Sequence, residues 1–93
     1  MIETFADRET ERIYRGLYSK NFPRDIQRRV LNKLRVLNAV LKIEELLSPP
    51  SNRLEALKGG RAGQFSIRVN DQWRICFRWR DGNAHDVHLT DYH

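Results

Sequence analysis

The chain has one cysteine, one methionine, three prolines and no long apolar run. The lone thiol, Cys76, excludes an internal disulfide and a cysteine-built zinc site. That usage fits a reducing compartment, so the expected localisation is cytoplasmic. Inside a strand-like run, Cys76 is expected to be packed and unreactive. No stretch is long enough to cross a bilayer, and no membrane partner is expected. The opening MIETFADRET is too acidic and too weakly apolar for a signal peptide. Glycine clusters once, in KGGRAG, which has neither P-loop nor dinucleotide-fold spacing. No cofactor is expected. Internal repeats and low-complexity tracts are absent from the sequence.

What is present is charge. Lysine and arginine number 17 against 12 acidic residues, a formal net charge of +5 over 93 residues. A chain of this length is expected to form one domain, 1–93, around one small core. Its basic balance suits an anionic partner, nucleic acid ahead of lipid. A merely solvated cationic surface is the alternative, and charge alone does not separate the two.

MIETF alternates apolar and polar residues and reads as a short strand. Asp7 suits the cap of a helix reaching about Gly16 or Ser19, with Ile13 and Leu17 facing inward. NFPRD breaks that helix and starts another, with Pro23 in its first turn and Asp25 at the positive end of its dipole. Ile26, Val30, Leu34, Leu37 and Leu41 then recur at helical spacing as one core stripe. The opposite face carries Arg24, Arg28, Lys33 and Arg35. IEELL adds a short helical turn, and SPPS ends the helical pattern in a loop.

The second half changes period. QFSIRV places Phe65, Ile67 and Val69 on one face, and WRICFRWR does the same with Trp73, Ile75, Phe77 and Trp79. Asn70-Asp71 and Asp81-Gly82 read as tight hairpins, the second being the stronger signal. AHDVHLTDYH supplies a third strand with Val87 and Leu89 inward. The expected fold is α+β, in the order β-α-α-β-β-β. Two N-terminal helices pack on one face of a small, mainly antiparallel sheet, and the first strand adds at its edge. The face turned away from the helices carries Ser66, Arg68, Arg74, Cys76, Arg78, Asp86, His88, Thr90 and Tyr92. Arginines, a tyrosine and a histidine on an open sheet suit RNA, the arginines through bidentate phosphate contacts and the tyrosine through base stacking. Antiparallel sheets also carry polar faces with no such role.

His85, Asp86, His88, Asp91 and His93 form a ligand-rich end. Strand parity sets Asp86 and His88 on one face and His85, Asp91 and His93 on the other. No ligand set of familiar spacing emerges, and no metal site is expected. A serine or cysteine nucleophile has less support still.

The stretches LEALKG, SIRVNDQWRICF and the terminal DYH carry a resemblance. The chain resembles the RelE/ParE superfamily of bacterial type II toxins, and within it the HigB branch of plasmid-maintenance killer proteins. The similarity runs over nearly the whole chain. It implies a small sheet with two N-terminal helices. It further implies a metal-independent endonuclease that cuts mRNA in the ribosomal A site. A HigA-type helix-turn-helix antitoxin would restrain it, and operator DNA would be met only through that antitoxin. By the same resemblance the catalytic candidates are Asp91, Tyr92, His93, Arg74 and Lys58. Relatives carry a histidine three positions before that lysine, where this chain has Glu55, which therefore joins the set. Candidates for ribosome and RNA contact are Arg24, Arg28, Lys33, Arg53, Arg61, Arg68 and Arg78. ParE-like relatives that poison DNA gyrase without cutting RNA, and a non-catalytic RNA-binding module, are the competing classes.

The residues fit this chemistry. A 2′-OH attack on the adjacent phosphate needs a base, an acid for the leaving 5′ oxygen, and positive charge on the phosphorane. Arg74 and Lys58 suit the charge; Asp91, His93 and Glu55 suit proton transfer; Tyr92 suits stacking or proton transfer. Arg74 is expected on an open face, packed against little. Ideal parity sets Tyr92 with Arg74 but Asp91 and His93 on the helix face. The chain is therefore expected to leave the ladder near Asp91, or the site to lie at the sheet's lip.

Overall fold

The computed structural model describes residues 1–91. Tyr92 and His93, both expected in the site, lie outside the described residues. Helix α1 spans Arg8–Tyr14 and α2 spans Gln27–Ala39. Four strands follow: β1 Glu55–Ala56, β2 Gln64–Arg68, β3 Trp73–Arg80 and β4 Asn83–Asp91. They form one antiparallel sheet in the order β1-β2-β3-β4. The α+β arrangement is as expected, with β1 added, a two-residue strand too short to show any periodicity.

Asp7 caps α1 as expected: its carboxylate accepts from the Thr10 amide at 2.6 Å and the Thr10 hydroxyl at 3.0 Å. The helix is shorter than expected. It ends at Tyr14, and Gly16 turns left-handed (φ 81°). Leu17 consequently stands 49% exposed instead of facing inward. Gln27 secures the connection to α2, donating to the Ser19 and Phe22 carbonyls at 2.7 and 2.9 Å and accepting from the Ser19 amide at 3.0 Å. Pro23 sits just before a 3-10 turn, Arg24–Ile26, that leads into α2.

The stripe of α2 is buried at Ile26, Val30, Leu34 and Leu37, but Leu41 is 78% exposed. The helix stops at Ala39 and the backbone turns extended at Val40 (ψ 143°). Helical spacing no longer applies there, and Val40 takes the inward place. IEELL forms a 3-10 turn, Ile43–Leu47, that buries Leu46. SPPS does not end the helical pattern, because Pro50–Asn52 makes another 3-10 turn with Pro50 in its first position.

These helical residues meet Ile67, Val69, Ile75, Phe77, Ala84, Val87 and Leu89 of the sheet in one core. Each fully buried aliphatic or Phe side chain contributes about 1.5–3 kcal/mol. The Asp81-Gly82 hairpin is tight as expected, with both residues left-handed (φ 54° and 77°) between the paired Arg80 and Asn83. Asn70-Asp71 is different. Neither residue is left-handed, and Asn70 acts through its side chain, which accepts from the Gln72 and Trp73 amides at 2.9 and 2.8 Å. The loop is wider than a two-residue turn.

One irregularity resets the parity of β4. Cys76 pairs with His88, but Arg78 pairs with His85. Phe77 therefore faces two residues, Asp86 and Val87, in a bulge with Asp86 left-handed (φ 53°). Ala84 and Val87 are both buried in the core as a result, and His85 is moved to the row of Arg78, off the helix face where regular parity sets it. Residues 1–6 lie parallel beside β4 through bridges Ile2–Ala84 and Phe5–Val87, which is the edge expected for MIETF.

Candidate functional site

The outer face of the sheet is not open at its centre. Ser66, Arg74 and Cys76 are buried there, and Arg74 is only 6% exposed. Residues of the segment from the Pro50–Asn52 turn through β1 to a second turn, Gly59–Arg61, reach side chains of this face: the Arg53 carbonyl and Glu55 meet Arg74, and Arg61 meets His88. The expectation that Arg74 packs against little is therefore corrected. Its Nε donates to Ser66 Oγ at 2.8 Å, and its Nη2 donates to the carbonyls of Ser66 (3.3 Å) and Arg53. Its Nη1 lies 3.8 Å from Glu55 Oε1. The fork is thus held from several sides, which limits the rotamer freedom an arginine loses on gripping an anion.

A cleft of about 260 Å³ opens beside it, lined by Arg53, Arg68, Asn70, Asp71 and Arg74. Arg68 is ion-paired with Asp71. A second cleft of about 340 Å³ is lined by Glu55, Ala56, Leu57, Lys58 and Arg61. Glu55 borders that cleft and also reaches Arg74. Three of the expected catalytic residues, Glu55, Lys58 and Arg74, are therefore brought around β1. Asp91 closes β4 opposite Trp73, and its Oδ2 accepts from Gln72 Nε2 at 3.1 Å. Through Asp91 the strand stays in the ladder, so no departure occurs among the described residues. Asp91 stands at the end of the sheet, with Gln72 of the cleft-side loop.

The expected basic contacts divide between two faces. Arg24 lies over the Tyr18 ring at 4.5 Å, and Arg28 lines a groove with Leu17 and Tyr18 on the helix layer. Arg53, Arg61, Arg68 and Arg78 belong to the sheet side, where Arg78 pairs with Asp86 at 3.4 Å. Lys33 is not on the free helix face, because it donates to Asn52 Oδ1. Burial, then the charge of Arg29, push its pKa below the ordinary lysine value.

His88 and Cys76 form a further polar group outside the catalytic candidates of the sequence. His88 Nδ1 donates to the Asp86 carbonyl at 2.9 Å, and Nε2 accepts from Arg61 Nη2 at 2.7 Å, the pattern of a neutral ring. The hydrogen bond with Cys76 raises the His88 pKa against burial, helped by the Asp86 carbonyl and opposed by Arg61. Protonation would put a hydrogen on Nε2 and set Arg61 against a cation, so the charged ring requires Arg61 to move away. Burial pushes the Cys76 thiol up, but hydrogen bonds to His88 and Thr90 outweigh it and leave it lowered. Ser66 and Asn52 were also missed. A hydroxyl on the strand neighbouring Arg74 was the only signal for the first. Among the described residues, no three His, Cys, Asp or Glu side chains come together as a metal site.

Residues 3–93 match the family described as the RelE-like toxin of type II toxin-antitoxin system HigB. The chain belongs to this family. It is 37% identical to Toxin HigB-1 of Vibrio cholerae over 89 residues, covering 95% of this chain and 94% of that one. It is 29% identical to Endoribonuclease HigB of Proteus vulgaris over 93 residues, the full length of both. Among solved structures, the YoeB-YefM complex from Staphylococcus aureus aligns with a TM-score of 0.62 at 16% identity, over 100% of this chain and 98% of that one. YafQ from E. coli aligns with a TM-score of 0.57 at 10% identity, over 98% and 93%. HigB family membership makes the chain a RelE-like toxin. Among the described residues, no helix is long and apolar enough to cross a membrane.

Proposed function

We propose that this HigB-family toxin is a ribosome-dependent endoribonuclease that cuts mRNA in the ribosomal A site, in the cytoplasm, until a HigA-type helix-turn-helix antitoxin restrains it. The observation that carries the reading is the seat of Arg74: a guanidinium fixed by Ser66 and the Arg53 carbonyl beside a cleft, with Glu55 at 3.8 Å. The full-length similarity to a protein named Endoribonuclease HigB supports the reaction class.

The 2′-OH loses its proton to a base and its oxygen attacks the neighbouring phosphorus. The P–O5′ bond breaks, and the leaving 5′ oxygen takes a proton from an acid. The products are a 2′,3′-cyclic phosphate and a 5′-OH. Side chains can fill each role without a metal. Arg74 and Lys58 stabilise the charge of the phosphorane. Glu55, Asp91 and His93 are the proton-transfer groups, and Tyr92 stacks on a base or shares in proton transfer. So sparse a set gains most from a partner that presents mRNA already bent, which is the part given to the ribosome.

Primer extension on mRNA with and without ribosomes tests this. Cuts confined to the ribosome-containing reaction are expected. Equal cutting of free RNA removes the ribosome from the reading, and no cutting with gyrase inhibition instead would return the chain to the ParE-like class. Deleting His93 should lower the ribosome-dependent rate by about 10²–10⁴-fold, the range of one acid–base group.

A further inference from the structure

We propose that Lys33 and Asn52 are positioning residues for Arg74, tying the catalytic arginine to helix α2 through a buried amide. The proposal rests on the reading of Arg74 as the phosphate contact. It begins from a polar side chain with no reason to be buried on its own account. Asn52 is 1% exposed, in a chain segment that otherwise runs over the surface. Its Nδ2 donates to the Leu46 and Ser48 carbonyls at 3.1 and 3.3 Å, and its Oδ1 accepts from Lys33 Nζ. Asparagine alone among side chains of this size offers two donors and an acceptor in one plane. Together these bonds gather the end of the Ile43–Leu47 turn, the Pro50–Asn52 turn and the middle of α2 onto one group.

The next residue shows what is gained. Arg53 is left-handed (φ 44°, ψ 55°), a conformation that a non-glycine residue keeps only when its surroundings impose it. Its amide donates to the Pro50 carbonyl at 3.0 Å, and its own carbonyl accepts from Arg74 Nη2. The chain of contacts is therefore continuous: Lys33, Asn52, the turned Arg53 backbone, Arg74. It reaches Arg74 at Nη2, the nitrogen that also donates to the Ser66 carbonyl. Lys33 keeps its ammonium in this half-buried place although burial and Arg29 both oppose the charge, which is the cost of the tether. On a docking helix the same lysine would reach into solvent.

The two roles separate in a titration of cleavage rate against ribosome concentration. Lys33→Met keeps the apolar stem and removes the donor. The tether predicts a fall of about tenfold to hundredfold in the rate at saturating ribosomes, as expected for a small misplacement of a catalytic group. Ribosome affinity and its salt dependence should stay at the wild-type value, and Lys33→Arg should restore part of the rate. A docking lysine predicts the reverse, an unchanged saturating rate with weaker affinity and a shallower salt slope, and that result overturns the proposal.

Hydrogen exchange at Arg74 Nε, followed by NMR, gives a second readout that needs no turnover. Exchange should quicken severalfold in Lys33→Met and in Asn52→Asp, which keeps the acceptor but loses both donors. Unchanged exchange in both overturns the tether. Should the wild-type toxin cut no RNA at all, the endonuclease reading fails, while the exchange experiment still decides whether Lys33 and Asn52 hold Arg74.

Discussion

The two faces of the sheet are both buried at their centres, by opposite means. On the helix side, Ile67, Ile75, Phe77 and Val87 join Val30, Leu34 and Leu37 in one apolar cluster. On the other side, Ser66, Arg74 and Cys76 are buried too, but there Arg74 meets the Ser66 hydroxyl and carbonyl, the Arg53 carbonyl and the Glu55 carboxylate. Apolar packing is non-directional and tolerates repacking, so the first face supplies stability. Hydrogen-bonded burial is directional, so the second holds a guanidinium in one orientation. Under the proposed function, folding and chemistry are divided between the faces of strands only five to nine residues long.

That division can be broken in four places. Leu34→Ala, in the middle of the apolar face, should cost about 2–5 kcal/mol in denaturant unfolding. Cleavage per folded molecule should remain unchanged; a comparable loss of specific activity would mean the faces are coupled. Arg74→Ala should lower ribosome-dependent cleavage by about 10²–10³-fold. It should also cost about 1–3 kcal/mol of stability, because Ser66 Oγ and the Arg53 carbonyl lose their donor. Full stability in that variant would show that the polar face contributes nothing to the fold.

The remaining two effects are smaller. Reversing Arg24 and Arg28 to Glu should weaken ribosome binding most at low salt. The slope of log affinity against log salt should fall by about 0.7–0.9 for each phosphate that is no longer neutralised. Binding that ignores both charge and salt would confine the RNA-facing surface to the sheet side. The smallest effect concerns His88, whose folded pKa lies above its ordinary value. The stability it contributes is fully present below the unfolded pKa of about 6.5 and is lost as pH rises through the folded value. Thermal melts of wild type and His88→Gln should therefore differ most in mild acid and converge in mild base.

Much of the first face is written in the sequence, and little of the second. The α2 stripe and the inward residues of β2 and β3 repeat often enough for a period to be read. The Asp-Gly hairpin follows from the left-handed backbone that the pair accepts. Leu41 failed because the helix ends just before it, and periodicity does not mark its own end. His85 failed because one extra residue in a strand reverses the facing of everything before it. Parity said which side of β3 carries Arg74, and the resemblance gave it a role. Nothing local said that the Arg53 carbonyl and Glu55 of a distant segment would reach it, since two residues of β1 have no pattern and Asn52 carries no signal of burial.

The pairing of residues 1–6 with β4 bears on how the chain avoids its own kind. A sheet's outer strands expose unpaired amides and carbonyls that will accept a strand from any neighbouring molecule. At one margin the sheet ends in β1, which is two residues long and offers almost no template. At the other, β4 is nine residues long, and the shield over it comes from the opposite end of the chain, joined through Glu3 to Ala84 and Ala6 to Val87 at 2.8 and 2.9 Å. Contacts so distant in sequence are slow to form, because a long loop must close first. β4 is therefore exposed to strand exchange and aggregation until residues 1–6 dock. A toxin shortened by those residues should lose solubility at concentrations where the full chain remains dispersed.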